Sequence, residues 1–347
     1  MIYLDHAATT PVAREVADTM YDVLLNGSGN PSSQYPYGAA AKKRLEADRA
    51  VIAAALGCKP DELYFTSCGT ESDNWAIRLA AHQNRRVGKH IITTAVEHSA
   101  VLEPCRQLEQ EGYAVTYLAP DRQGNITAQQ VADALREDTA LVSVMLVNNE
   151  TGCVFPVAEI ARLLREHGSK ALLHTDAVQA FLKLPFRADT LGADLISVSG
   201  HKLNAPKGVG ALYIGPRCRA VRPLLAGGGQ ERGLRSGTEA TAQIAGFAKA
   251  VELRLEGYEE KLAQLLVDQI AKQNNVANNK ELENIGFFSI DEIFPNGNFM
   301  VDETGITYSF NEYEIAAYVV GATHVQLPYK EIRHLLRDDS PISSLID

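Results

Sequence analysis

Between residues 62 and 214, short apolar runs alternate with longer amphipathic stretches. The apolar runs contain few charged residues, which is typical of strands buried on both faces of a sheet. Seven strands are predicted, over 62–66, 90–94, 114–118, 140–146, 171–175, 195–198 and 210–214. Apolar positions at helical spacing predict the intervening helices, over 71–86, 98–112, 128–136, 157–168 and 178–182.

This alternation favours an α/β fold with a mostly parallel, seven-stranded sheet covered by helices on both faces. A long helix is predicted after the last strand, over 238–264, because Ser236 or Thr238 can cap its first turn. In such folds ligands bind beyond the carboxyl ends of the strands. Polar residues at those ends are therefore the candidate site residues.

The last quarter of the chain has a different composition. It has no cysteine and two arginines, and it holds half of the ten phenylalanines. The change falls near 273–279, a stretch rich in asparagine that is typical of a linker. The predicted organisation is a large domain over 1–264 (with an N-terminal segment, 1–15, and the helix 238–264), a linker over 265–283, and a small α+β unit over 284–347.

Charge and cysteine usage exclude several classes of protein. The net charge of −10 argues against nucleic-acid binding through bulk charge. No apolar run approaches the ~18–20 residues that span a membrane, and no secretory signal is visible. The five cysteines have no zinc-type spacing, which indicates free thiols, no metal site and a cytoplasmic location.

Several predicted strands end in polar groups. The strand over 195–198 leads to Lys202, and the strand over 171–175 leads to Asp176. His98 follows the strand over 90–94. Each of these residues alone is more often structural or solvated than catalytic.

The combination is more specific when the first strand is included. That strand turns through Gly69 and Thr70 into a helix, whose first amides can hold an anion. A lysine amine, an isolated carboxylate, an imidazole and a phosphate cradle are the groups that hold pyridoxal phosphate. The sequence therefore predicts a pyridoxal phosphate site.

Eight sequence blocks, in order along 1–264, carry a family resemblance. They span 3–10, 29–33, 69–74, 97–98, 147–152, 174–179, 197–202 and 227–238. In these blocks the chain resembles the NifS/IscS-type cysteine desulfurases of the class V aminotransferase superfamily. The resemblance implies a fold-type I transferase, similar to aspartate aminotransferase, that forms a homodimer. It also implies conversion of L-cysteine to L-alanine, with the sulfur passed to an iron–sulfur scaffold or another acceptor protein.

The resemblance implies a role for each matched residue. Lys202 would form the Schiff base and move protons, His98 would stack on the ring and assist that transfer, and Asp176 would pair with the pyridinium nitrogen. The other cofactor-binding residues implied are Gly69, Thr70, Ser199 and His201 at the phosphate, Asn149 and Gln179 at the ring oxygen, and Thr238 at the phosphate of the other subunit.

Two functional groups of the family have no counterpart in the tail. The family places a nucleophilic cysteine and a substrate-binding arginine in its C-terminal domain, but no cysteine follows Cys218 here. Arg333 and Arg337 lie in an unrelated context. The stretch over 284–340 instead resembles the C-terminal domain of lysozyme-responsive anti-sigma factors, with a hairpin turn over 302–305 and a helix over 329–337.

Three functional interpretations follow. The leading one is a cysteine desulfurase-type enzyme with a replaced C-terminal domain, natural or chimeric, and impaired sulfur transfer. The second keeps the cofactor but changes the chemistry at Cα to transamination or β-elimination. The third is a non-catalytic binding protein whose tail recognises a partner.

Overall fold

The computed structural model describes residues 3, 5–219 and 221–256, together with the backbone of 300–301 and 307–308. The chain divides into two compact units. The larger comprises 1–150, 155–182 and 186–254, and the smaller comprises 151–154, 183–185 and 255–347. The predicted linker over 265–283 lies outside the described residues.

Seven strands form one sheet in the larger unit. They are β1 (Leu63–Thr66), β2 (His90–Thr94), β3 (Ala114–Leu118), β4 (Thr139–Ser143), β5 (Leu172–Asp176), β6 (Leu195–Ser199) and β7 (Gly210–Ile214). Their order is β1-β7-β6-β5-β4-β2-β3. Strand β7 runs antiparallel to β1 and β6, and the other pairs are parallel. The predicted mostly parallel, seven-stranded α/β sheet is confirmed.

Eight α-helices are described. They are α1 (Arg14–Asn26), α2 (Pro36–Leu56), α3 (Gly69–Gln83), α4 (Ser99–Gln110), α5 (Ala128–Ala134), α6 (Val157–Glu166), α7 (Ala188–Leu191) and α8 (Thr241–Leu255). Helix α3 packs across β4 to β7 and buries Trp75, Ile77 and Leu79. Every residue of these four strands is buried, as expected for the central strands of a sheet covered on both faces.

Helices α1 and α2 are absent from the predictions. Helix α1 exposes Tyr21, Leu24 and Leu25, so apolar residues occupy its outer face and obscure the helical period. Helix α2 buries alanines and glycine beside Leu45 and Ile52, so its buried face is only weakly apolar in sequence. In both helices the tertiary contacts, rather than the hydrophobic pattern, determine which face is buried.

The helix predicted over 178–182 is wrong. A single turn forms there, in which the N–H groups of Ala180 and Phe181 both donate to the carbonyl of Ala177. Leu182 then adopts φ 54°, a left-handed conformation that no α-helix contains. The predicted helix over 238–264 begins at Thr241, and residues 257–264 lie outside the described part of the chain.

In the smaller unit, β8 (Met300–Val301) pairs antiparallel with β9 (Thr307–Tyr308). This pairing confirms the strands of the hairpin predicted around 302–305, whose turn lies outside the described residues. The helix predicted over 329–337 and most of the anti-sigma-like stretch also lie outside them. Of the helices that the structure describes, none combines the length and apolar character that crossing a bilayer requires.

Candidate functional site

A cavity of about 580 Å³ opens at the carboxyl ends of β5 and β6, within the larger unit. Nine of the ten predicted site residues line it. They are Gly69, Thr70, His98, Asn149, Asp176, Gln179, Ser199, His201 and Lys202. The tenth, Thr238, is exposed and is not part of the lining. Residues from separate sequence blocks thus meet around one cavity, as the sheet topology predicts.

Lys202 ends a 3₁₀ turn, Gly200–Lys202, that directly follows β6. Its side chain is 9% exposed, and Nζ donates to the carbonyl oxygens of Ala7 and Ala8, the second at 2.9 Å. Burial lowers the pKa of Lys202, against the opposite effect of nearby acids, chiefly Asp176. A lowered pKa increases the fraction of neutral amine, which is the nucleophilic form.

Asp176 is the last residue of β5 and lies almost entirely inside the protein. Its Oδ1 accepts the backbone N–H of Val178 at 2.8 Å. Burial raises the pKa of Asp176 to about 7, and the negative charge of Asp73 adds to this effect. A cation placed against this carboxylate would restore its ionised form, so the position suits a protonated ring nitrogen.

The N-terminus of α3 forms a cradle beside these two residues. The first N–H groups of a helix have no acceptor within it, and they favour an anion. A Cβ on Gly69 would lie 2.8 Å from Cγ2 of Val178, so glycine permits the close approach of the helix. Ser199 Oγ is buried and has no hydrogen-bond partner among the described residues. A phosphate oxygen would satisfy this hydroxyl, so the cradle fits the phosphate of pyridoxal phosphate.

His98 and Asn149 present polar groups to the cavity. His98 caps α4, and its Nδ1 accepts the N–H of Ala100 at 3.1 Å. The neutral imidazole therefore carries its proton on Nε2. Asn149 donates from Nδ2 to Oε1 of Glu150 at 2.8 Å. Both residues follow the carboxyl ends of strands, where the sequence analysis expects them.

The N-terminal segment closes one side of the cavity through Asp5, Ala7 and Ala8. Its backbone is tied to the residues after β6, because Thr10 donates both its N–H and its hydroxyl to the carbonyl of His201. Gln179 Nε2 donates to the carbonyl of Ala7 at 2.9 Å. Sequence reasoning assigned no role to this segment, although it forms the first of the eight blocks.

Five further residues line the cavity without a predicted role in cofactor binding: Cys68, Asp73, Met145, Glu150 and Val178. Asp73 had a detectable signal, since a carboxylate lies there among the buried apolar positions of α3. Cys68 is partly exposed at the cradle. By contrast, burial raises the pKa of Cys105 and Cys218 to about 12, which leaves these thiols unreactive.

Comparison with known proteins gives a consistent result. The family profile "Aminotransferase class-V" matches residues 2–307. "Putative cysteine desulfurase IscS 1" of Bacillus subtilis (strain 168) is 49% identical over 260 residues, which are 75% of this chain and 68% of that protein. The match to the family profile continues past residue 264, and replacement of the C-terminal domain stays a prediction.

Solved structures agree with the fold. A "NIFS-LIKE PROTEIN" superimposes with a TM-score of 0.73 at 38% identity, covering 79% of this chain and 76% of the other. "SspA in complex with cysteine" gives a TM-score of 0.68 at 42% identity, covering 73% and 72%. The chain spans about two thirds of the length of the curated relatives it matches, between 65% and 68% for three of them.

Proposed function

The chain belongs to the class-V aminotransferase family, among the cysteine desulfurases, which are pyridoxal phosphate enzymes, and from this premise we propose that its cavity binds the cofactor and acts on L-cysteine. One observation carries the proposal: Asp176 at the end of β5 and Lys202 just after the adjacent strand β6 are both buried and line one cavity. In a protein of the same fold without this function, nothing would require a buried lysine and a buried aspartate to line the same cavity.

In the proposed site each residue would hold one part of the cofactor. Asp176 would pair with the ring nitrogen, Gln179 and Asn149 would bind the ring oxygen, and His98 would stack on the ring. Gly69, Thr70, Ser199 and His201 would hold the phosphate, and Thr238 would reach the phosphate of the other subunit in a homodimer. When bound, pyridoxal phosphate supplies an electron sink for bonds at the substrate Cα.

The residues of this chain then handle the protons. The lowered pKa of Lys202 leaves part of its amine neutral, so Lys202 can form the bond to the cofactor and take a proton from Cα. His98 can donate from Nε2, since Nδ1 is occupied by the N–H of Ala100. Asp5, Ala7 and Ala8 narrow the cavity, which limits the water around these groups.

We infer L-cysteine as the substrate because the chain is similar to a protein solved with cysteine. The proposed products are L-alanine and a sulfur atom delivered to an acceptor protein, such as an iron–sulfur scaffold. Five free cysteines suit the reducing cytoplasm that we propose as its location. Sulfur transfer is slow in this chain, because no cysteine follows Cys218 in the sequence to attack the substrate sulfur.

The test is alanine formation from L-cysteine by the purified chain loaded with pyridoxal phosphate. We expect the visible absorbance of bound cofactor and slow alanine release, which Cys68→Ser leaves unchanged. Brisk alanine release that Cys68→Ser abolishes would contradict the impairment and make Cys68 the sulfur acceptor. Pyruvate or an amino-group transfer product in place of alanine would favour the alternative chemistry at Cα. Absence of any bound cofactor would favour the non-catalytic interpretation.

A further inference from the structure

Three carboxyl groups are buried at the cavity, and two of them, Asp73 and Asp176, line it. Asp73 on α3, Glu97 after β2 and Asp176 at the end of β5 are 1%, 6% and 6% exposed. Among the described residues, no lysine or arginine forms a salt bridge with any of them. Buried carboxylates without a cation cannot all be ionised, since each charge loses its hydration and repels the others.

The surroundings of Asp73 contain no fixed positive charge. Its Oδ1 lies 3.5 Å from Nε2 of His174 and has no hydrogen-bond partner among the described residues. His174 hydrogen-bonds the hydroxyls of Ser143 (2.8 Å) and Ser197 (3.1 Å). Burial lowers the pKa of His174 to about 4, so this imidazole is neutral and its contact with Asp73 is not an ion pair.

The other charged groups near the pair do not remove this conflict. Lys202 and His98 act on Asp176 from the cavity side. Burial raises the pKa of Glu97 well above its ordinary value, and the charges of Asp176 and Asp73 add to this effect. Lys202 donates to backbone carbonyls, and in the proposed function it bonds to the cofactor. Burial raises the pKa of both Asp73 and Asp176 to about 7.

The neighbouring groups decide which member of the pair keeps the charge. Each acid receives one hydrogen bond, Asp176 from the N–H of Val178 at 2.8 Å and Asp73 from the hydroxyl of Ser197, while Asp73 Oδ1 has no partner among the described residues. Lys202 and His98 lie on the side of Asp176 and favour its ionised form. Asp73 is the more deeply buried of the two, and the imidazole that it contacts, His174, is neutral. We propose that Asp73 is a positioning residue that stays protonated beneath the ring site, so that the Asp73–Asp176 pair carries a single negative charge, located on Asp176.

This arrangement gives Asp73 a defined effect on the site. A neutral acid next to Asp176 adds no second negative charge, so the single charge of the pair can stay on Asp176 and face the cavity. Asp176 is then ionised and suited to pair with a protonated ring nitrogen. This part of the inference rests on the proposed function, whereas the protonation of Asp73 does not.

The experiment is infrared spectroscopy of the full chain with ¹³C-carboxyl aspartate, whose isotope shift separates aspartic acids from Glu97. The Asp176→Asn background removes the other candidate acid. We expect a protonated-aspartate carbonyl band at neutral pH in Asp176→Asn. The band disappears in Asp73→Asn/Asp176→Asn and persists in Glu97→Gln/Asp176→Asn, the matched control for a neighbouring buried acid.

Two outcomes overturn the inference. One is the absence of a protonated-aspartate band in the wild type, a result that does not depend on the folding of any variant. The other is a protonated-aspartate band that survives Asp73→Asn.

Cofactor titration of the single variant Asp73→Asn adds a second readout. Asp73→Asn lowers cofactor affinity by less than about tenfold, because a neutral amide replaces a neutral acid. A loss as large as that of Asp176→Asn would show that Asp73 carries the charge. Failure of all variants and the wild type to bind cofactor contradicts the proposed function and leaves the infrared result intact.

Discussion

Two regions of the larger unit bury ionisable side chains, but only one of the two regions pairs them with an opposite charge. In the loop over 227–238, Glu231 is paired with Arg49 through two hydrogen bonds of 2.7 and 2.8 Å. In the cavity, Asp73 and Asp176 lie close together without a salt-bridged lysine or arginine among the described residues. Paired buried charges fix structure, and unpaired buried charges mark a site that a ligand completes.

The paired region is built to hold a strained loop. Glu231 and Arg232 have φ values of 47° and 57°, which non-glycine residues seldom adopt. Glu231 also accepts the N–H of Phe65, and the guanidinium of Arg232 lies 4.7 Å from the ring centre of Tyr64. These contacts attach the loop to β1 and offset the backbone strain.

The largest expected effect comes from breaking the buried pair. Glu231→Gln leaves the buried Arg49 with only the half-exposed carboxylate of Glu46 as an ion-pair partner, and we expect the free energy of unfolding to fall by about 3–5 kcal/mol. Urea unfolding measures this change. The matched control is Asp18→Asn, which breaks the exposed pair with Arg14 and should leave the free energy of unfolding nearly unchanged. An equal fall in the free energy of unfolding of the two variants would contradict the claim that the buried pair contributes more to stability than the exposed pair.

The unpaired region is tested by the pH dependence of stability without cofactor. Burial raises the pKa of Asp73 and of Asp176 from the ordinary value of 3.8 to about 7 in the folded state, so the folded state binds more protons between these limits. The free energy of unfolding therefore falls as pH rises from about 4 to 7, by an amount on the order of 2–4 kcal/mol. His174 has the opposite effect between about 4 and 6.5, since its folded pKa is lowered.

The double variant Asp73→Asn/Asp176→Asn isolates the two acids from His174. Its free energy of unfolding, measured by urea at several pH values, should lose the fall that the wild type shows below pH 7. A wild type and a double variant with parallel pH profiles would mean that the two acids are ionised normally in the folded state.

A smaller effect is expected at the phosphate cradle. Gly69→Ala places a Cβ 2.8 Å from Val178, which forces α3 away from the cavity and should weaken cofactor binding by about 1–3 kcal/mol. Cofactor titration measures the loss. Val178→Ala removes the clashing methyl groups, so Gly69→Ala/Val178→Ala should recover most of the affinity. If the double variant does not recover cofactor affinity, the contact between the new Cβ and Val178 is not the cause of the loss.

The sheet and the site differ in how far the sequence predicts them. Strands β2, β3 and β7 match their predicted bounds, because each is a short run rich in β-branched, aromatic or other apolar residues between helical stretches. Lys202 and Asp176 are predictable as polar residues at strand ends. The role of the N-terminal segment is not, because Ala7 and Ala8 act through backbone carbonyls that leave no side-chain signal. Asp73 depends on a tertiary neighbour, His174, that is distant in sequence.

The central claim is that the cofactor attaches at Lys202, opposite Asp176. Borohydride reduction of the chain incubated with pyridoxal phosphate makes such an attachment permanent, and peptide mass mapping locates it. The account predicts the added pyridoxyl mass on the peptide that contains Lys202, and its loss in Lys202→Ala but not in the exposed-lysine control Lys207→Ala. The same mass found on another lysine, or retained in Lys202→Ala, would contradict it.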